Sequence, residues 1–517
     1  MITKKNLLYG LLTGPFCLMS GSAITQEVDK MPDTRVYYSV FVQSFYDSNG
    51  DGIGDLPGLT SRLDYLSDLG IKGLWLLPVH PSPSYHKYDV SDYYAIHPDY
   101  GTLGDYRSFV KEAHNRGMIV LLDLVINHTS NRIDWFRNAS ESPRSPYRDY
   151  YIWSDKQADF DAEPFHWHPV RDSNGKQTNG PRYYGFFWWE MPDLNFDNRK
   201  VREEILKIAS FWLQDVGVDG FRMDAAQYIY PEDQKDKTLA WWTEFGKEVR
   251  KMKEDAIIIG EVWGSSSDIA PYLSDRMTAC FNLQLADTIR ISLQEEKDHG
   301  ILQTWRKIHE NYEENNPGYQ DAILLSNHDM NRIMTELGRN NDKAKLAASL
   351  LLTLPGNPFI YYGEEIGMLG EKPDEYIREP FLWNIAGEDQ GQTRWEIPYA
   401  STPEIVKPLA FQTDDPKSIY NHYKTLIRIR NNSPALSNGM LKPLVLDNKK
   451  VIGFIRVYQA EVIMVLLNLT GQMQQITAPH GISGYNLLFG SHPVFKSGGN
   501  IVYLQPWSTF ILKQKTP

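Results

Sequence analysis

The chain has 517 residues, of which 42% are hydrophobic and 23% charged, and its formal net charge is −12. This length exceeds what one hydrophobic core supports, so we expect two or three domains. The acidic balance argues against nucleic acid or an anionic membrane as the main partner, and it leaves a neutral substrate open.

The first residues have the layout of a secretory signal peptide. Lys4 and Lys5 precede an apolar run over residues 7–19, and small residues occupy positions 20–23. The run is short for a membrane span. We therefore expect removal of residues 1–23, a secreted or periplasmic protein, and no membrane association after cleavage. The mature chain would keep Cys280 as its single cysteine, which excludes an intramolecular disulfide.

Strand-like and helix-like segments alternate from residue 36 to residue 362. The predicted strands cover residues 36–45, 72–77, 118–126, 218–223, 257–262, 279–283, 322–325 and 358–362. Helical segments at 59–69, 106–116, 201–216 and 239–253 separate several of them. Eight strands with helices between them predict the α/β class and a parallel (β/α)8 TIM barrel, which we assign to residues 33–127 and 191–433.

Two segments depart from this alternation. Residues 128–190, after the third predicted strand, are rich in Trp, Tyr, Pro, Asn and Asp. An insertion of this length predicts a subdomain that overhangs the barrel mouth. From residue 434 the pattern changes to short strands, at 451–458, 462–467 and 509–512, which predicts a C-terminal all-β sandwich domain over residues 434–517.

Carboxylates stand at the C-terminal ends of predicted barrel strands, where the chemistry of this fold is located. Asp224, Glu261 and Asp329 follow the fourth, fifth and seventh strands, and His128 and His328 lie on the same rim. Each acid alone reads more readily as structural, but together these residues indicate a catalytic cleft. Two carboxylates flanking a substrate, one nucleophile and one proton donor, are what glycosidic bond cleavage requires.

Arg222 precedes Asp224 by two positions, so both side chains point to the same face of the fourth predicted strand. Two interpretations are open for this pair. It is either a structural ion pair that closes the barrel rim, or a carboxylate nucleophile held ionised by its arginine.

Four ordered motifs resemble those of the α-amylase superfamily of retaining glycoside hydrolases. They are residues 123–128 (DLVINH), 220–224 (GFRMD), 260–263 (GEVW) and 327–329 (NHD). Residues 73–78, 191–195 and 356–363 look like further family motifs, so the resemblance extends from residue 37 to the C-terminus. It implies an α-glucan polysaccharide or oligosaccharide as the substrate.

The resemblance also implies roles for individual residues. Asp224 matches the nucleophile, Glu261 the general acid/base, and Asp329 the acid that fixes and distorts the sugar. Five residues match the family's substrate contacts, with the first of them stacking under the sugar that is cleaved: Tyr88, Asp123, His128, Arg222 and His328.

Residues 47–55 (DSNGDGIGD) present oxygen atoms at alternate positions. Asp47, Asn49, Asp51 and Asp55 offer side-chain oxygens, and Ile53 offers its backbone carbonyl. Hard oxygen ligands on a glycine-rich turn suit Ca²⁺, and members of the family carry a Ca²⁺ loop here, so Ca²⁺ is the expected cofactor. The alternative is a solvated loop of Asx turns.

Two activities compete within the family. One is an α-amylase that cleaves internal α-1,4 bonds of starch, maltodextrin or glycogen by double displacement. The other is an exo-acting α-glucosidase, an oligo-1,6-glucosidase or a maltooligosaccharide transglycosylase. Ala225 after the nucleophile favours α-1,4 cleavage, whereas Gln227 and Tyr228 replace the Lys-His pair of many α-amylases and Lys87 stands where close relatives often carry Gly. Because export favours a polymer degrader, we expect an α-amylase. We also expect the protein to be a monomer.

Overall fold

The structure, a computed structural model, describes residues 34–171, 174–385, 387–477, 484–490 and 501–515. The predicted signal peptide at residues 1–23 lies outside these ranges. No helix within them combines the length and the hydrophobicity that crossing a membrane requires.

Eight parallel strands form a nearly closed barrel, as the alternation in the sequence predicts. Each strand pairs with the next except the sixth and seventh, which are joined only by an isolated bridge between Phe281 and Ala322 among the described residues, and the eighth pairs with the first. Because the strands are parallel, their C-terminal ends all lie at one end of the barrel. The first to eighth barrel strands are Tyr37–Val40, Gly73–Leu76, Ile119–Leu124, Gly220–Met223, Ile257–Gly260, Ala279–Cys280, Ala322–Leu324 and Asn357–Tyr361.

Helices connect the barrel strands, and their boundaries follow from local capping and burial. The helix Leu103–Asn115 begins with a capping box between Thr102 and Asp105, and it buries Tyr106 and Phe109 on one face. The other long helices are Arg199–Ser210 with its π-helical continuation Phe211–Val216, Lys235–Met252, Leu283–Gln294, Ile301–Asn315, Asn341–Thr353 and Ile419–Asn431. Shorter helices include Leu56–Ser61, Leu63–Leu69, Ser266–Ile269, Ile333–Glu336, Asp374–Ile377 and Pro434–Asn438.

Two predicted strands extend into residues that form a helix in the structure. The first was expected over residues 36–45 but ends at Val40, and Val42–Phe45 forms a helical turn. All four residues of that turn are buried, and a continuous apolar run does not distinguish a strand from a buried helix. The sixth was expected over residues 279–283 but ends at Cys280, because Asn282 caps the next helix by accepting a hydrogen bond of 3.0 Å from the Leu285 N–H.

The inserted segment after the third barrel strand has its own small antiparallel sheet. Its strands are Trp153–Ser154, Gln177–Tyr184 and Trp167–Arg171, with the second of these in the middle. Helix Asp134–Glu141 packs on this sheet through Phe136, whose ring centroid lies 5.9 Å from that of Trp153 and 4.8 Å from that of Tyr183. Phe136 and Tyr183 belong to the same hydrophobic cluster as the barrel strands, so this aromatic packing continues the barrel core into the inserted segment.

The C-terminal part of the chain is all-β, as predicted. Strands Met440–Pro443, Val451–Tyr458, Glu461–Asn468, Thr509–Gln514 and Tyr485–Gly490 form an antiparallel sheet in that spatial order, and Gln474–Thr477 pairs with Ile501–Leu504. The two sheets share a core that includes Leu466, Ile476, Leu504 and Leu512. Buried Arg456 ties this part to the barrel, because its Nη1 donates to the carbonyl of Thr353 at the end of a barrel helix.

Candidate active site

Three neighbouring strand ends place carboxylates around one arginine. Arg222 lies on the fourth barrel strand directly opposite Asp123 on the third, and Asp224 follows the same strand. On the other side, the fifth strand leads into Glu261, whose backbone N–H donates to the Met223 carbonyl over 3.0 Å. The parallel register therefore brings three acids that are far apart in sequence to one edge of the barrel.

The guanidinium of Arg222 bonds all three acids. Its Nη1 lies 2.8 Å from Oδ1 of Asp123 and 2.7 Å from Oδ1 of Asp224, and its Nη2 lies 2.6 Å from Oε2 of Glu261. The arginine side chain is only 1% exposed. A planar guanidinium can hold several carboxylates in fixed orientation, which an ammonium group cannot.

The charges of this cluster do not cancel, since three acids face one cation. Burial raises the pKa of Asp224 well above its ordinary value, the charge of Arg222 opposes the rise, and Glu261 and Asp123 add to it. Burial likewise raises the pKa of Asp123 against the pull of Arg222. Such a cluster retains a proton that isolated carboxylates would lose, and the proton belongs to the interacting group rather than to one residue.

Tyr88 links this cluster to the residues after the seventh strand. Its hydroxyl donates to Oδ2 of Asp123 over 3.1 Å and lies in hydrogen-bond contact with Nε2 of His328. Its ring is parallel to that of His328, with the centroids 5.4 Å apart and the planes 6° apart. The indole of Trp75 donates to the same oxygen of Asp123 over 3.1 Å. Asp123 is thus a fully buried anchor for the site.

Asp329 is held by two basic side chains. Its Oδ2 lies 3.0 Å from Nε2 of His328, and its Oδ1 accepts a hydrogen bond of 3.0 Å from Nη2 of Arg378. Burial alone would raise the pKa of Asp329, but His328 and Arg378 outweigh it and hold the pKa well below its usual range. Asp329 is therefore a carboxylate that stays ionised.

His128 lies at the rim of the same site, where its ring contacts the backbone of Tyr88. Its Nε2 lies 3.1 Å from the carbonyl of Tyr88, and since a carbonyl only accepts, Nε2 carries the proton. Burial lowers the pKa of this imidazole to about 4, so the ring is neutral. In this geometry His128 fixes the backbone of Tyr88.

The structure joins seven of the eight residues expected in the cleft through continuous side-chain contacts: Tyr88, Asp123, Arg222, Asp224, Glu261, His328 and Asp329. His128 joins the chain through the backbone of Tyr88.

Two residues outside the eight expected site residues contact the acids directly. Arg378, from the segment after the eighth strand, also donates from Nε to the His328 carbonyl over 3.0 Å. Trp263 donates from its indole to Oε1 of Glu261 over 3.0 Å. The sequence carried a signal for each, because an Arg-Glu-Pro run follows the eighth strand and a tryptophan stands two positions after the fifth-strand acid.

Lys87 occupies a backbone conformation that favours glycine, with φ of 63°. Its side chain is buried, with Nζ 3.3 Å from the amide oxygen of Gln43 and 4.7 Å from the ring centroid of Tyr100. Burial lowers its pKa to about 8. Lys87 directly precedes Tyr88, and its Nζ also donates to the carbonyl of Tyr85 rather than to the three acids.

Aromatic residues of the inserted segment form one wall near His128. The ring of Phe187 lies 5.4 Å from that of His128 and 5.6 Å from that of Tyr228, and Phe186 stacks on Tyr228 at 4.5 Å. Phe187 and Trp188 are exposed. Tyr228, which replaces the histidine of the Lys-His pair, therefore packs against Phe186 and Phe187 and supports this aromatic wall.

The predicted Ca²⁺ loop is a compact turn of oxygen-bearing residues. The buried carboxylate of Asp47 accepts hydrogen bonds from the N–H groups of Gly50 and Gly52, each over 2.7 Å, and both glycines have φ near the left-handed region. Asp55 caps the helix Leu56–Ser61, accepting from the Gly58 N–H over 2.6 Å. No three His, Cys, Asp or Glu side chains gather as metal ligands in the described ranges.

The donor set of the loop nevertheless fits a hard cation, because it combines carboxylates, an amide oxygen and a backbone carbonyl on one turn. Asp47, Asn49, Asp51, Ile53 and Asp55 are the residues that would hold Ca²⁺. The ion would supply local structural stabilisation at this turn.

Comparisons with known proteins agree with the geometry of the site. The family model "Alpha amylase, catalytic domain" matches residues 39–439. Alpha-amylase 3 of Dictyoglomus thermophilum is 45% identical over 480 residues, covering 92% of this chain and 93% of the relative. A 4-alpha-glucanotransferase of Thermotoga maritima is 33% identical over 446 residues, covering 84% and 96%. The crystal structure of an alpha-amylase from H. orenii superposes with a TM-score of 0.83 at 39% identity, covering 94% of this chain and all of that one. The chain belongs to the α-amylase family of glycoside hydrolases and related transferases.

Proposed function

We propose that this protein is a retaining α-amylase that cleaves internal α-1,4 bonds of starch, maltodextrin or glycogen. The observation that carries the proposal is the guanidinium of Arg222, which holds Asp224 and Glu261 at adjacent strand ends at 2.7 Å and 2.6 Å. Two carboxylates at one cleft are the minimum that double displacement at a glycosidic carbon requires. The 45% identity to an alpha-amylase supports the same activity.

Asp224 is the nucleophile in this mechanism. Its Oδ1 is bonded to Arg222, whereas Oδ2 has no hydrogen-bond partner among the described residues, which makes Oδ2 the attacking atom. As the bond from Oδ2 to the anomeric carbon forms, the bond from that carbon to the glycosidic oxygen breaks. The electron pair goes to the departing oxygen, which takes the proton of Glu261.

Water completes the cycle. Glu261 takes a proton from the water as its oxygen attacks the anomeric carbon, and Asp224 leaves as a carboxylate. Asp329 remains ionised beside His328, so it can accept hydrogen bonds from sugar hydroxyls and stabilise positive charge on the ring. Two inversions at one carbon retain the α configuration.

A second candidate is transfer of the glycosyl group to another sugar. It differs only in the acceptor of the second step, which is a sugar hydroxyl in place of water. The 33% identity to a 4-alpha-glucanotransferase supports this candidate. An exo-acting α-glucosidase or oligo-1,6-glucosidase would use the same acids on chain ends or on α-1,6 bonds.

Product analysis separates these activities. With soluble starch, we expect mixed maltooligosaccharides of initial α configuration and an early loss of iodine staining at few new reducing ends. Glucose as the sole product would instead identify exo-cleavage, hydrolysis of isomaltose an α-1,6 enzyme, and products longer than a maltotriose substrate a transferase. The Asp224→Asn variant is the control, since it keeps the shape of the side chain and removes the nucleophile.

We also propose that the protein is secreted or periplasmic, with Ca²⁺ bound at residues 47–55. The proposal of export is supported by the charged, apolar and small-residue order of residues 1–23. N-terminal sequencing of the native protein would test it: a mature chain that begins after residue 23 supports export, and retention of Met1 contradicts it.

A further inference from the structure

The two carboxyl oxygens of Glu261 have different partners. Oε2 accepts hydrogen bonds from Nη2 of Arg222 over 2.6 Å and from the N–H of Ala225 over 3.2 Å. Among the described residues, Oε1 accepts only from the indole N–H of Trp263, over 3.0 Å. A proton on Oε2 would face a cation and an amide donor at once. The proton that a general acid carries therefore belongs on Oε1.

We propose that Trp263 is a positioning residue for the acid step, which aims Oε1 of Glu261 at the leaving-group oxygen and supports the leaving sugar on its ring. The inference rests on the proposed double displacement. The indole N–H is a donor only, so it bonds one lone pair of Oε1 and leaves the O–H of the protonated acid free to point at the glycosidic oxygen. Together with the two donors on Oε2, it fixes the rotation of the carboxyl plane.

Trp263 is well placed to face the substrate. Trp263 hydrogen-bonds the buried acid Glu261 and is nevertheless 43% exposed, so part of this residue is open to solvent beside the acid. The amide oxygen of Gln227 accepts a hydrogen bond from the backbone N–H of Trp263, which holds this exposed residue in place. A flat apolar face beside polar groups is the usual surface for stacking a sugar ring.

Gln227 thereby gains a role at the position where many α-amylases carry lysine. Unlike lysine, Gln227 adds no positive charge on the side of the leaving group. Its amide oxygen accepts a hydrogen bond from the backbone N–H of Trp263 and so anchors that residue. Trp263, Gln227 and Tyr228 are neutral side chains. This set suits an uncharged leaving sugar.

The test compares Trp263→Phe with the native enzyme on two leaving groups. The variant keeps an aromatic ring and loses the N–H. On a maltooligosaccharide, whose departing sugar needs a proton, we expect kcat to fall about ten- to a hundredfold, a part of what general acid catalysis supplies. On a 4-nitrophenyl maltooligosaccharide, whose phenolate departs unprotonated, the rate of the pre-steady-state nitrophenolate burst should change less than about threefold.

Equal losses on the two substrates would overturn the inference, because a merely structural defect does not sense the leaving group. Trp263→Ala should show the same selectivity and in addition a raised KM for the maltooligosaccharide, since it also removes the ring. If Trp263→Ala leaves the KM for the maltooligosaccharide unchanged, the ring of Trp263 does not support the leaving sugar. Thermal melts of both variants verify folding.

Glu261→Gln separates this inference from the proposed function. It should spare the nitrophenolate burst and abolish cleavage of the maltooligosaccharide. If Glu261→Gln loses the burst as well, the acid role of Glu261 is wrong, and the proposed mechanism fails together with the inference. If Glu261→Gln spares the burst while Trp263→Phe does not, only the role of Trp263 is wrong.

Discussion

Arg222 and Asp224 stand two residues apart on the fourth barrel strand, and Nη1 of the arginine lies 2.7 Å from Oδ1 of the aspartate. The contact between the two residues is compatible with both interpretations of the pair in the sequence. The pair is buried and closes the rim as a structural ion pair would, and it also leaves one carboxylate oxygen free. The same guanidinium reaches Glu261, so a single residue orients both acids of the proposed mechanism.

Arg222→Lys should remove most of the activity. A lysine ammonium can approach one carboxylate but cannot span three, so at least one buried charge loses its partner. We expect kcat/KM on maltodextrin to fall about a hundred- to a thousandfold, as when an electrostatic donor is removed from an active site, and the free energy of unfolding to fall by about 3–5 kcal/mol. Initial rates and urea denaturation measure the two effects.

The matched control is Arg202→Lys, which changes a surface pair whose Nη1 lies 2.9 Å from Oε2 of Glu244. That pair is partly exposed, so we expect less than about 1 kcal/mol and native activity. Near-native activity of Arg222→Lys would contradict the role of the guanidinium.

Arg378→Lys tests the residue that sequence reasoning did not place in the site. The native side chain donates to Asp329, to the His328 carbonyl and to Asp374, and lysine can replace only part of this set. Asp329 would then lose its fixed orientation. We expect kcat to fall about ten- to a hundredfold, or 1.4–2.7 kcal/mol in the activation barrier.

Asp374→Asn is the control for Arg378, because it alters the far side of the same guanidinium and leaves the bond to Asp329 in place. We expect it to stay within about threefold of native activity. A larger loss for Asp374→Asn than for Arg378→Lys would show that the loop, not Asp329, depends on Arg378.

The barrel and its acids could be predicted because their signals are local and repeated. Strand after strand ends in a carboxylate or histidine, and parallel strands bring such ends together without further information. The contact between Asp123 and Arg222 follows from their register. What periodicity could not decide was the state of Val42–Phe45, since a short buried apolar run fits a helical turn and a strand equally.

Contacts made by loops were beyond this reasoning. The bonds of Arg378 and Trp263 depend on how the segments after the eighth and fifth strands fold back over the barrel, and no spacing rule fixes that path. The same holds for His128, whose chemistry in the sequence suggested a hydrogen bond to sugar. Its ring nitrogen is already used by the Tyr88 carbonyl.

Removal of Ca²⁺ should lower the melting temperature if residues 47–55 bind it. At a free ion concentration of 100 times Kd, the bound ion would contribute about 2.7 kcal/mol to the free energy of unfolding. We expect a chelator to lower the midpoint of the native enzyme and added Ca²⁺ to restore it. An unchanged midpoint would count against a bound ion.

Asp51→Asn provides the matched variant for the Ca²⁺ loop. Oδ1 of Asp51 accepts a hydrogen bond of 2.8 Å from the Ile53 N–H, which an asparagine oxygen can replace. The turn should therefore persist while one charged ligand is lost. We expect this variant to require more Ca²⁺ for the same melting temperature; an identical Ca²⁺ dependence would exclude Asp51 as a ligand. Asp55 is less suitable, since it also caps a helix.

Glu364 should make the stability of the fold depend on pH. It is buried after the eighth barrel strand, where its Oε1 accepts a hydrogen bond of 2.8 Å from the hydroxyl of Tyr423. Burial raises its pKa to about 8, whereas a glutamate in an unfolded chain has a pKa of about 4.3. Between these values the folded state keeps a proton that the unfolded state has lost, so the free energy of unfolding falls as pH rises.

Glu364→Gln removes this titration and keeps the shape of the side chain. Relative to the variant, the native enzyme should lose about 1.4 kcal/mol of unfolding free energy per pH unit between roughly pH 5 and pH 8, and the difference should level off above pH 8. Urea denaturation at pH 5, 6, 7 and 8 measures it, with the exposed Glu254→Gln as a control that should show no such trend. If the free energies of unfolding of the native enzyme and Glu364→Gln change with pH in parallel, the carboxyl of Glu364 is ionised throughout this range. A neighbouring cation rather than Tyr423 would then compensate its charge.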